Sequence, residues 1–135
     1  MSIIRLLPAW LHAVADYAVG ALLIIVSLAV GGSAGAVATG VVVGATVLVV
    51  SMLTRYPLGV AKVLPFTVHS AGDYLAAALL LLAPFALNFN DGDRGLSIYF
   101  LVNGLAVLAV SLITNYQYSP KRAWTATNSA SSLAA

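Results

Sequence analysis

The sequence predicts an all-α membrane protein with four transmembrane helices, arranged as two tandem, parallel-related hairpin repeats. Three observations carry this expectation. Hydrophobic residues make up 61% of the 135 residues and charged residues only 7%, where ordinary globular chains carry about 25% charge. So few charges cannot clothe a polar surface, and lipid must be the solvent for much of it. Four long apolar stretches also follow one another with short interruptions. Each is long enough, at about 1.5 Å per residue, to cross a hydrocarbon core of about 30 Å. Finally, the second half of the chain repeats the pattern of the first.

The stretches run from about Pro8 to Val30, Ala36 to Thr54, Leu64 to Leu87, and Leu96 to Tyr116. Hydrocarbon cannot satisfy backbone polar groups, so helix is the state required of such runs. Pro8 and Pro65 stand at the starts of the first and third helices, where a missing N–H costs nothing. Pro84 should bend the third helix near its outer end. Turns fall at Gly31 to Gly35, Arg55 to Gly59 and Asn88 to Gly95, each rich in residues that break helices. Asp91 and Asp93 read as a solvated turn, because no bidentate Glu follows to complete a calcium loop. Arg5 and the small residues around Ser33 to Ala36 make a passable signal-peptide pattern. The apolar run is long for that purpose and recurs in mid-chain, so it reads as a span.

Basic residues set the orientation. Arg5, Arg55, Lys62, Lys121 and Arg122 fall on one side and only Arg94 on the other. The positive-inside rule then places both termini and the central loop in the cytoplasm, in a bacterial-type inner (plasma) membrane. Tyr56, Tyr116, Tyr118 and Trp124 fall near that face, where an aromatic belt is expected. Residues 119–135, rich in Ser, Ala and Thr, read as a disordered cytoplasmic tail. The formal charge of +2 is scattered, which offers no groove for nucleic acid. The absence of cysteine excludes disulfides, thiolate catalysis and Cys-ligated metal sites.

The repeat is the most informative feature. Leu7-Pro8 precedes His12, Asp16 and Tyr17, and Leu64-Pro65 precedes His69, Asp73 and Tyr74 at the same spacing. The even helices match as well. Gly44, Val47, Leu48, Val50, Ser51, Thr54 and Tyr56 correspond to Gly104, Val107, Leu108, Val110, Ser111, Thr114 and Tyr116. Residues 1–58 and 59–118 are therefore read as two copies of one hairpin. An even number of spans per copy points both the same way, about a pseudo-two-fold axis along the membrane normal.

Two tandem hairpins with H-x3-D early in each odd helix resemble the SPW-repeat integral membrane proteins. Ala83-Pro84-Phe85 stands where that family carries Ser-Pro-Trp, while Ser27-Leu28-Ala29 keeps only the serine. The resemblance implies fold and topology, and brings no established reaction.

His12 and Asp16 lie four positions apart, hence on one helix face, and Gly20 extends that face as Ala77 extends the one begun by His69 and Asp73. The candidate site is a polar layer in the cytoplasmic half, made by His12, Asp16, Ser51, Thr54, His69, Asp73, Ser111 and Thr114. A carboxylate at that depth costs about 2–3 kcal/mol and must face the bundle and find a partner. The same residues serve three classes of function. A hydrogen-bonded network gives a structural or interaction protein, an oligomer or an accessory subunit, which is the favoured reading. Buried His and Asp also suit a small proton or ion transporter or channel. The set His12, Asp16, His69 and Asp73 suits a divalent metal, or a haem between the histidines. No G-x-S-x-G elbow supports a hydrolase, and no cofactor is required. Gly32, Ala36, Gly40 and Gly44 form a small-residue ladder for helix packing, inside the bundle or as a homo-oligomer seam. Asn103 is expected to bond between helices.

Overall fold

The structure, a computed structural model, describes residues 6–117. The tail from 119 and the expectations for Arg5, Tyr118, Lys121, Arg122 and Trp124 lie outside the described residues. The described chain forms four helices and no strand longer than an isolated bridge: α1 (Ala9–Val30), α2 (Ala34–Leu53), α3 (Phe66–Ala86) and α4 (Arg94–Ile113). All four are long and apolar enough to cross a membrane, and large side chains such as Ile25, Val42, Leu75, Leu82 and Val102 point outward. The protein is an integral membrane protein.

Local chemistry sets the helix ends. Pro8 and Pro65 sit extended just before α1 and α3, because proline fixes φ and lacks the N–H a helix interior needs. Ser33 caps α2 by accepting the Ala36 N–H at 3.3 Å, satisfying one of the free donors of the first turn. At their inner ends α2 and α4 stop short of Thr54 and Tyr116. Thr54 and Thr114 turn extended, with ψ of 143° and 140°, and make parallel bridges to Leu64 and Leu7. The Arg55 N–H donates to the Leu64 carbonyl at 2.8 Å and the Leu7 N–H to that of Ile113 at 2.9 Å. Inter-segment hydrogen bonds replace the next helical turn, so both ends are tied.

The closest packing is α1 on α2 and α3 on α4, and small residues permit it. A Cβ on Gly44 would lie 2.6 Å from the Gly20 carbonyl oxygen, and one on Gly104 would lie 3.2 Å from that of Ala77. A Cβ on Gly40 would collide with Ser27 Oγ. Ala36, Gly40 and Gly44 are thus consumed in packing inside the bundle, and Gly32 lies against Asp93. The homo-oligomer seam expected on this face is not available, because α1 already occupies it.

Two polar residues bond otherwise than expected. Asp93 sits in the expected turn, but its carboxylate is engaged rather than free. It accepts the Ser33 N–H at 3.1 and 3.2 Å and the Ser33 hydroxyl at 2.5 Å, fastening the two outer loops together. The Asn103 amide donates to the Tyr99 carbonyl of its own helix at 2.9 Å rather than between helices. The core divides into two regions. Leu23, Val43, Leu80, Phe89, Leu96 and Phe100 fill the outer half, while Ala9, Ala13, Tyr56, Phe66 and Tyr116 close the inner end. The polar residues lie between them.

Candidate metal site

All eight residues of the expected polar layer are buried. The four His and Asp side chains converge on one point: one ligand atom from each of His12, Asp16, His69 and Asp73 lies within 4.8 Å of every other. The two Nε2 atoms stand 3.4 Å apart. His12 Nε2 is 3.4 Å from Asp16 and 3.3 Å from Asp73, and His69 Nε2 is 3.1 Å from Asp16 and 3.0 Å from Asp73.

The outer ring nitrogens fix the tautomers. Thr54 Oγ1 donates to the Val50 carbonyl at 2.7 Å and lies 2.8 Å from His69 Nδ1. Thr114 Oγ1 donates to the Val110 carbonyl at 2.7 Å and lies 2.9 Å from His12 Nδ1. A hydroxyl has one hydrogen and a carbonyl can only accept, so each ring must donate its Nδ1–H to the threonine. Each Nε2 faces both carboxylates, as a lone pair when the ring is neutral and as an N–H donor when it is protonated.

Tyr56 and Tyr116 do not form the interfacial belt expected of them. Both are buried. Tyr56 donates to Asp16 at 3.2 Å and Tyr116 to Asp73 at 2.6 Å. Burial, above all, pushes both phenols upward from their ordinary pKa, which keeps them protonated as donors. The signal for them was present as the last residue of the even-helix match. Two residues past the extended threonine, that position turns back into the bundle. Ser51 makes a long 3.4 Å contact with Asp16, while Ser111 donates to the Val107 carbonyl of its own helix at 2.8 Å.

Phe66, which the sequence reading did not single out, closes the inner side. Its ring centroid lies 4.8 Å from that of Tyr116, 5.4 Å from Tyr56, 5.5 Å from His12 and 5.7 Å from His69. Outward, Leu23, Leu80 and Phe100, all fully buried, separate the cluster from the opposite face. The site brings together two imidazole nitrogens and two carboxylates, closed at its inner and outer ends. A tetrahedral first-row ion with bonds of about 2.0–2.1 Å spaces its ligands roughly 3.3–3.4 Å apart, and the two Nε2 atoms stand at that spacing. The four-residue set spans up to 4.8 Å and each carboxylate turns one oxygen to each histidine, so the carboxylates must draw in to bind an ion. A haem does not fit, because carboxylate oxygens border the 3.4 Å gap between the two ring nitrogens through which a porphyrin would pass.

Comparison of the chain with protein families, with curated proteins and with solved structures finds no match.

Proposed function

We propose that the protein is an intramembrane metal-binding protein in which a divalent first-row transition ion, held by His12, Asp16, His69 and Asp73, locks two hairpin repeats into one bundle. The observation that carries this reading is the convergence itself: with both Nδ1 atoms held against threonine, two Nε2 atoms and two carboxylates meet within 4.8 Å of one another. Buried carboxylates need positive charge beside them; a divalent ion between two neutral rings supplies it, and protonated imidazoles are the alternative that the test below separates. Threonine on the outer nitrogen is also the usual arrangement for ligating histidine, where a neighbour fixes the tautomer and ring orientation.

Several features support a structural role for the ion. Four protein ligands leave no open position, as in closed metal sites. The contacts also cross between hairpins: His12 bonds Thr114 and His69 bonds Thr54, while His12 meets Asp73 and His69 meets Asp16. This reciprocity supports reading residues 1–58 and 59–118 as copies of one unit, each bringing one His and one Asp. A conduction role is less well supported, since the layer of Leu23, Leu80 and Phe100 offers no polar step outward. The positive-inside distribution supports cytoplasmic termini.

The test is metal content of the purified chain by elemental analysis, with His12→Gln and His69→Gln as controls. About one divalent ion per chain, lost in both variants, is expected. A parent that stays metal-free after incubation with zinc, manganese or iron, and shows both imidazoles doubly protonated by nitrogen NMR, would overturn the proposal. The cluster would then be an ion-paired hydrogen-bond network.

A further inference from the structure

Two clefts reach the cluster from the side, and they are unequal. One opens beside α1 and α4, is lined by Ala15, Val19, Val107 and Val110 with His12 and Asp16 and also reaches Asp73, and has a volume of about 50 Å³. The other lies between α2 and α3, is lined by Val47, Val50, Gly72 and Ala76 together with His69 and Asp73, and encloses about 250 Å³. Val47, Asp73 and Ala76 line both clefts, whereas Gly72, which stands for Ala15 in the sequence match, lines only the larger. Neither the inner end, closed by Phe66, nor the outer half, filled by Leu23, Leu80 and Phe100, gives access to the cluster. The α2–α3 cleft does. Its rim carries Val42 and Leu75, each 62% exposed, and Leu79 at 47%, while its floor carries His69 and Asp73 at 2% and 9%. Lipid-facing residues at the rim and a carboxylate at the floor make a passage from the bilayer to the cluster.

We propose that this cleft binds a lipophilic phenol, the quinols included, whose ring lies among the valines and leucines and whose hydroxyl donates to the Asp73 carboxylate. The walls are apolar, and the one wall hydroxyl, Thr46, already donates to the Val42 carbonyl at 2.8 Å. A cavity of about 150 Å³ lined by apolar side chains accommodates benzene, so the space suits a substituted ring and the dry walls disfavour water. At the floor Asp73 already accepts from Tyr116 and faces His12 and His69, three partners where a carboxylate has about four lone-pair sites, so it selects a ligand with one hydrogen to give. The proposal rests on the reading of the cluster as a functional site but not on the ion, because Asp73 is an acceptor with or without metal.

The experiment uses the full chain in lipid nanodiscs and a decyl-substituted hydroquinone as probe, with decylbenzene as the analogue lacking hydroxyls. Binding and metal content are measured on the same samples, for the parent, Gly72→Leu and Ala76→Leu. A Cβ at position 72 meets no atom within 4 Å, so leucine there fills the cleft without disturbing the packing. The expected result is saturable probe binding in the parent, weakened at least about tenfold in both variants and for decylbenzene, with metal content and melting temperature retained in Gly72→Leu. Probe uptake that is non-saturable, equal in Gly72→Leu, or matched by decylbenzene overturns the proposal, the last identifying an acyl-chain groove. A parent that binds the probe but no ion leaves this inference standing and removes the metal reading. An ion without probe binding does the reverse.

Discussion

Thr54 and Thr114 set the chemistry of the site because each hydroxyl has a single hydrogen, and the helix takes it. Replacing either with Val removes the acceptor that holds Nδ1–H, and ion retention against a chelator should fall by about 10–100-fold. Serine at the same positions, keeping the oxygen, should restore most of it; equal retention in all three would show that the threonines do not orient the rings. Tyr56 and Tyr116 act on the other side of the cluster. Loss of a hydroxyl donor to a charged, buried acceptor costs about 1.5–3 kcal/mol, and Tyr116→Phe, with the 2.6 Å bond, should cost more than Tyr56→Phe at 3.2 Å. Unfolding in mixed micelles measures both. The pH dependence follows from the same burial. Each phenol is raised in the folded state, so its contribution is complete below the unfolded value of about 10 and is lost as pH rises beyond it. The parent should therefore lose stability in alkali more steeply than the Tyr56→Phe/Tyr116→Phe double variant. The histidines and aspartates were legible in the sequence because H-x3-D places both on one helix face twice over. The tyrosines were not, because an aromatic at a helix's inner end satisfies the belt expectation equally well until the extended threonine redirects it.

At the scale of elements, glycine separates into positions the packing requires and positions it does not. Gly40 faces Ser27 and the Leu23 carbonyl, so Gly40→Ala must push α1 and α2 apart, at a cost of about 1–3 kcal/mol. Gly95 in the first turn of α4 would meet nothing within 4 Å, and Gly95→Ala should be neutral or stabilising by about 0.5–1 kcal/mol. Comparing the two variants in one detergent tests whether the ladder is internal; equal stability would return the seam to the outside of the bundle. The four helices were legible from apolar length alone, within two or three residues at each end. The largest difference is the inner end of α4, which stops three residues before Tyr116, where the bridge to Leu7 competes with the next helical turn. Pairing between segments distant in sequence leaves no periodic trace. The Ser33–Asp93 fastening escaped for the same reason, since it joins two loops that each read as ordinary turns.

For the molecule as a whole, the hairpins meet through the cluster and the bonds around it. An ion that binds only the folded state stabilises it by about 2.7 kcal/mol at a hundredfold excess over its dissociation constant. Chelation should therefore lower the melting temperature of the parent and leave a His12→Gln/His69→Gln double variant unmoved. The proposed cytoplasmic placement of both termini has its own check: a reporter active only in the cytoplasm, fused at the C-terminus, should give signal, and activity from a periplasmic reporter there would reverse the topology. The most direct measurement of the central claim is X-ray absorption at the metal edge on the purified, metal-loaded chain. Coordination by four nitrogen and oxygen ligands at about 2.0–2.2 Å, with multiple scattering from two imidazoles that disappears in the histidine variants, is the expected spectrum. A shell of water alone, or an edge too weak to reach one ion per chain, would contradict it.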